Sequence, residues 1–367
     1  MPTPSRAQRG ARPPRAARNV VAAGLCAAAL VLAGCSDDPE QPVPTPTIEV
    51  TPAATANKVA PPEPALPLTW PLTGVEATDV ATRPAVAVKI ENSKDARPQT
   101  GLEQADVVWE EMVEGGITRY IAVYHSQVPE EVGPIRSVRP MDSNIIAPLG
   151  GLLVFSGGQP IFVSSVSEVG LQVVSHDAGA SGFYRTSSRV APHNVFGTPS
   201  TFLAQADAEH SAAPAPEFVF ARDEAQASAA ASGAPTNAIS ITMSAYSHPS
   251  WTWDAASGTF QRAEAGTAAV SSTGARFSAK NVVVMNVAMY DTGTVDPAGS
   301  PVPESEVIGS GTALVASGGR SVEATWSKTD ASSPFVLTAA DGSPVTLAPG
   351  QTWVELVPNT TGSFSTS

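Results

Sequence analysis

Apolar and polar positions change rhythm several times along this chain. Val20 to Ala33 is an apolar run of mostly small residues. Residues 36–66 have no apolar period and are rich in Pro, Thr, Ala and acids, which predicts an extended, solvated tether. The texture changes from Trp70. Residues 85–90, 106–113 and 118–126 read as strands, the last two joined around Gly115-Gly116, a hairpin signal. Pro140 opens a predicted helix to about Pro148, and 152–155 reads as a short buried strand. That strand runs through Ser156-Gly157-Gly158-Gln159 into a second helix from Pro160 to near Gly170, and a third helix is expected from Thr198 to about His210.

Beyond an Ala/Pro/Ser-rich stretch the texture becomes strand-like. Residues 239–244, 251–253, 282–290, 312–316, 321–326, 335–338 and 352–357 are rich in β-branched and aromatic side chains. Turn pairs such as Ser257-Gly258, Gly318-Gly319 and Asp341-Gly342 separate them. The pattern predicts an α+β protein: an N-terminal mixed α/β domain over 68–210, a linker over 211–237 and a smaller β-rich domain over 238–358. Trp251, Trp253, Trp326 and Trp353 are expected in the core of the second domain. There is no internal repeat.

Charge and cysteine usage change the picture at the N-terminus. Arg6, Arg9, Arg12, Arg15 and Arg18 precede the apolar run, which is too short to span a bilayer comfortably and ends in Leu32-Ala33-Gly34-Cys35. These four residues resemble a bacterial lipobox. The expectation is a leader over 1–34, a lipidated Cys35 and a tether over 35–67, giving an extracytoplasmic protein held to the cell membrane by lipid. Removing five arginines and no acids from a chain of net charge −13 leaves −18. Such acidity argues against nucleic acid, whose binding needs cations for phosphates. The chain's other cysteine, Cys26, leaves with the leader, so no internal disulfide is expected. The five histidines show no metal-ligand spacing, and no cofactor motif is present.

Three blocks carry candidate chemistry. Across a two-residue turn at Gly115-Gly116, Asp106 would face His125, with Arg119 opposite Met112 and diagonal to Glu110. A carboxylate fixing an imidazole serves general-base chemistry, and equally serves as a structural bridge. Arg136 and Arg139, leading with Asp142 into a helix N-terminus, could present guanidinium forks and free N–H groups to an anion, or pair with nearby carboxylates. In the third block Ser156, Gly157 and Gly158 turn from strand to helix, with Arg185, His193 and Asn194 further on. Such a turn suits an oxyanion or simply needs small residues, and Ser156 is a nucleophile only if it meets His193.

These blocks carry a resemblance. Arg83 to Asn92, Ala96-Arg97-Pro98-Gln99-Thr100-Gly101-Leu102, Ala105 to Glu111, Glu114 to Tyr120, Val132 to Pro140, Ser156-Gly157-Gly158 and Ala191-Pro192-His193-Asn194 follow one another as in DUF3048, the YerB-like bacterial lipoprotein family of unknown function. Ala279 to Val284, Thr325-Trp326-Ser327-Lys328 and Pro349 to Pro358 resemble its C-terminal domain. The resemblance implies two domains on an anchored lipoprotein and supplies no reaction. The first reading is therefore an envelope lipoprotein that binds an anionic or polar ligand through its N-terminal domain, its partner a cell-wall fragment or an envelope protein. The alternative is an envelope hydrolase or transferase using Asp106, His125, Ser156 or His193. The two differ in geometry, because an enzyme needs nucleophile, base and charge-stabilising donor to converge.

Overall fold

The computed structural model describes residues 67–367. The expected leader, Cys35 and all but the last residue of the tether lie outside the described residues. Strands outweigh helices, 40% to 14%, so the α+β description holds only loosely. The chain runs β1 (Val86–Glu91), β2 (Val107–Met112), β3 (Thr118–Tyr124), α1 (Pro140–Ile146), β4 (Leu152–Phe155), α2 (Pro160–Glu168), β5 (Gln172–Ser175), β6 (Phe183–Arg185), β7 (Val195–Gly197) and α3 (Pro199–Leu203). It continues with β8 (Ala238–Thr242), β9 (Pro249–Asp254), β10 (Thr259–Glu264), β11 (Asn281–Val295), β12 (Pro301–Glu306), β13 (Gly309–Ser317), β14 (Arg320–Lys328), β15 (Val336–Thr338), β16 (Thr352–Pro358) and β17 (Ser363–Thr366).

One sheet holds strands from both halves of the chain, in the order β15-β14-β13-β11-β16-β2-β3-β1-β4-β5. The join is β16, which pairs in parallel with β11 on one side and with β2 on the other, placing Glu355 directly opposite Glu110. Both faces of this sheet are covered, which explains its long apolar runs. On one face Trp109, Ile121, Val354 and Leu356 pack with Met141 and Ile145 of α1 and Phe162 and Val166 of α2. On the other, Val108, Tyr120, Trp353 and Val357 pack against Ile239, Trp251 and Phe260 of a second sheet built on β10-β9-β8-β17. Trp251, Trp326 and Trp353 are buried as expected, whereas Trp253 is half-buried.

Three local expectations need correction. The third helix stops at Leu203 because the Asp207 carboxylate accepts the N–H groups of Glu209 and His210, a local bond that competes with helix continuation. Strand β10 escaped the apolar pattern because its inward positions are Phe260, Arg262 and Glu264, two of them charged. The stretch 211–237, expected as a linker, is packed into the fold and holds a short helix at Ser228–Ser232. Phe218 stacks on Trp109 at 6.0 Å, and Glu217, Ala227 and Ala229 are buried.

Candidate functional site

The hairpin of β2 and β3 sets the site. Val113 N–H bonds Ile117 C=O across Glu114-Gly115-Gly116, a three-residue loop. The register therefore differs by one residue from that of a two-residue turn: Arg119 opposes Glu111, not Met112. Glu91 of β1 also opposes Arg119 across the next strand, so Glu91, Arg119 and Glu111 share one face, with Lys89 two positions away. Loop residues Arg136 and Arg139, together with Asp142 of α1 and Glu114 of the hairpin loop, close over this row.

The result is a dense charged cluster with little access to water. Lys89 bridges Glu111 and Asp142, the latter at 2.8 Å, and all three are fully buried. Burial and the Asp142 charge push the Glu111 carboxyl up, against the pull of Lys89. Arg119 donates to Ser137 C=O at 2.8 Å, and its other terminal nitrogen lies 3.9 Å from Glu114. Arg136 Nε sits 3.7 Å from Glu91, and Arg139 Nε pairs with Glu114. His193 Nδ1 approaches Glu91 Oε1 at 2.9 Å, and the Ser93 hydroxyl donates to the same oxygen. Burial, then the nearby Arg139 and Arg136 charges, pull Arg119 down to about 9, with Glu114 and Glu91 opposing. The Nε atoms of Arg119 and Arg136 are buried without a hydrogen-bond acceptor, Arg139 Nε has only its ion pair with Glu114, and Glu91 Oε2 is buried without a donor. Arg136 and His193 keep about a quarter of their side-chain surface in water and mark the opening.

The opposite face carries a second network. Arg262 of β10 reaches between the rings of Trp353, Trp251 and Tyr120, its guanidinium carbon 4.8, 5.2 and 5.5 Å from their centres. It bonds Glu355 at 2.6 Å, Glu264 at 2.7 and 2.9 Å, and Glu110. Glu110 also accepts from Thr118 and Asn92. Burial and the neighbouring carboxylates raise Glu110, whereas Arg262 and Arg97 hold Glu264 low despite its burial. Arg97 is fixed by Asn92 and reaches Glu264 at 3.2 Å. A fully buried arginine set among three carboxylates is a costly arrangement in which every member depends on the others.

The remaining predicted residues do not assemble. Asp106 does not meet the His125 imidazole. Its carboxylate accepts the backbone N–H groups of His125 and Ser126 at 2.6 and 2.8 Å and the Ser126 hydroxyl, because the shifted register turns the two side chains to opposite faces. His125 Nε2 instead lies 3.2 Å from Ala81 C=O, and its ring stands edge-on to Trp70. Ser156 contributes only backbone bonds, to Arg136 and Asp177, while His193 is engaged by Glu91, so no nucleophile–base pair forms between them. A Cβ at Gly157 would lie 1.9 Å from the Asp177 carboxylate, and one at Gly158 would lie 2.5 Å from Val138. Both glycines therefore serve close packing, with an internal carboxylate over the turn. Arg185 and Asn194 bond each other at 2.7 Å on the exposed β6–β7 hairpin. The α1 N-terminus is also closed: Asp142 accepts the Arg139 N–H at 2.8 Å, a capping box.

Sequence reasoning missed Lys89, Glu91, Glu111, Glu114, Arg262, Glu264 and Glu355. For the first three the sequence showed charges within otherwise apolar strands, but not which face they take. For Arg262 and Glu264 no such signal was present. Among the described residues, no group of three or more His, Cys, Asp or Glu is placed to hold a metal, and no helix is long and apolar enough to cross a membrane.

Comparison with known proteins follows the same division of the chain. The Bacillus subtilis (strain 168) protein named "Putative lipoprotein YerB" is 36% identical over 142 residues, 38% of this chain and 43% of the relative, so the match spans less than half of that protein. The crystal structure of YerB from Bacillus subtilis superposes with a TM-score of 0.68 at 24% identity, covering 81% of this chain and 99% of the other, a likeness of fold. Residues 72–212 match the profile of the "Protein of unknown function (DUF3048) N-terminal domain" and residues 239–354 that of its C-terminal domain. With both profiles matched in order over most of the described residues, the chain belongs to the DUF3048 family.

Proposed function

We propose that this protein is a lipid-anchored cell-envelope protein that binds a small anionic ligand, such as a wall fragment, at the Arg119–Arg136–Arg139 cluster. The observation that carries the reading is the pair of buried Nε–H groups on Arg119 and Arg136 that lack an acceptor, with Arg119 pulled down by its burial and by the Arg139 and Arg136 charges. Each unmatched buried donor costs about 1–3 kcal/mol, and an oxyanion entering past Arg136 and His193 supplies acceptors and charge together. Anchoring rests on the lipobox at Cys35 and on the lipoprotein name of the relative.

The test is thermal unfolding of residues 35–367 carrying Cys35→Ser, against phosphate, sulfate, phosphorylated glycans and wall fragments. A ligand at 100 times its Kd adds about 2.7 kcal/mol of stability. The expected result is a dose-dependent shift that Arg136→Gln weakens and Arg136→Ala/Arg139→Ala abolishes. A folded protein that responds to none of the panel, or a shift that survives the double substitution, rejects the anion site.

A further inference from the structure

A second candidate site lies on the other face of the sheet, where the first half of the chain meets the second. A cleft of about 440 Å³ opens between the loop carrying Lys94, Arg97 and Pro98 and the strand ends carrying Ala268, Ala269, Val270 and Phe277. Its size falls within the roughly 300–1,000 Å³ of small-molecule sites. Its wall is mostly apolar, with Asn92, Lys94, Arg97, Tyr120 and Glu264 among its polar lining. Arg97 is oriented by Asn92 and Glu264 through Nε and one terminal nitrogen, and its other terminal nitrogen makes no hydrogen bond among the described residues. Lys94 stands at the same rim without an ion-pair partner among the described residues.

The acid in the cleft, Glu264, is already committed to other partners. Glu264 Oε1 is held by the Tyr120 hydroxyl at 2.9 Å and by Arg262, and Oε2 by Arg97. Both Glu264 oxygens are thus engaged, and the groups left open to a ligand at the cleft are Lys94 and the second terminal nitrogen of Arg97. The turn that bounds the cleft is strained as well: Ala265 sits at φ 47°, a left-handed conformation that alanine disfavours. We infer that this cleft binds a small amphiphile, a compact apolar body bearing one carboxylate whose oxygens meet Lys94 and the free nitrogen of Arg97. The site is separate from the guanidinium cluster and does not depend on it.

Calorimetric titration of residues 35–367 carrying Cys35→Ser, with decanoate below its micellar concentration, tests the assignment. Decanol and acetate serve as the half-matched probes. Decanoate should bind one-to-one, with acetate and decanol each at least about tenfold weaker, since one lacks the body and the other the charge. Ala268→Trp fills the cleft from an exposed position and should weaken decanoate by about tenfold or more, while Lys94→Gln, which touches no other residue's charge, should weaken decanoate but not decanol. Arg136→Gln should leave both unchanged. Absence of decanoate binding to the folded protein, equal binding of decanol and decanoate, or binding unaltered by both Ala268→Trp and Lys94→Gln overturns the inference.

Discussion

Glu217 lies in the stretch whose composition reads as a linker, yet its carboxyl is buried and pushed up to about 8 by desolvation. The Phe335 N–H at 3.1 Å and the charge of Lys328 oppose the shift without cancelling it. Lys328 is itself pulled down to about 8 by burial, while donating to Ala331 and Ser333 C=O. The two groups drive stability in opposite directions. Between the ordinary carboxyl value of 4.5 and about 8 the folded chain keeps a proton on Glu217 that the unfolded chain has lost, so stability falls as pH rises. Lys328 acts only above about 8, where the folded chain has shed a proton the unfolded chain keeps, and stability rises towards 10.5. Glu217→Gln retains an acceptor for Phe335 and cannot ionise. Its urea midpoints should therefore gain on the wild type from pH 5 to pH 8, by up to about 1.4 kcal/mol per pH unit. Parallel pH profiles for the two proteins would remove Glu217 from the account.

The β2–β3 hairpin shows what the element scale adds. Its loop needs glycine twice, at Gly115 with φ 68° and Gly116 with φ 72°, but the two positions differ in their surroundings. Nothing lies within 4 Å of a Cβ at Gly115, so Gly115→Ala should cost only the backbone strain of about 1–2 kcal/mol. A Cβ at Gly116 would stand 3.1 Å from Ser244 Oγ, which donates to the Gly116 carbonyl, so Gly116→Ala should lose more in a denaturant titration. Equal losses would show that strain alone matters there. The strands of this hairpin were legible from their runs of β-branched and aromatic residues, and so was the turn. The loop length was not, because Gly-Gly fits a two-residue and a three-residue connection equally well. That single residue decided the chemistry: it separated Asp106 from His125 and set Arg119 in line with Glu91 and Glu111. The arginines of the cluster were readable as a block before α1. Their carboxylate partners on β1 and β2 were not, because an inward charge in a strand looks like an outward one until the face is known.

At the scale of the molecule, the order of profile matches along the chain suggests two bodies, while the sheet contains strands of both. β16, whose first three residues close the C-terminal profile match, lies between β11 and β2 and pairs with each in parallel. Parallel pairing between strands about 245 residues apart leaves no trace in local sequence, which is why texture alone divided the chain where it did. The Arg262 network crosses the same divide, joining Glu110 of the first segment to Glu264 and Glu355 of the second. Residues 67–212 alone would expose the edge of β2 and leave Trp109 and Tyr120 without Phe335 and Trp353. Two consequences follow for unfolding. Calorimetry of residues 35–367 should give one transition whose calorimetric and van't Hoff enthalpies agree, and residues 67–212 expressed alone should lack a cooperative transition and recover structure only when 213–367 is supplied. Two resolved transitions, the earlier one melting the second sheet while β1 to β5 persist, would mean that each segment holds its own core and that β16 is a removable strand.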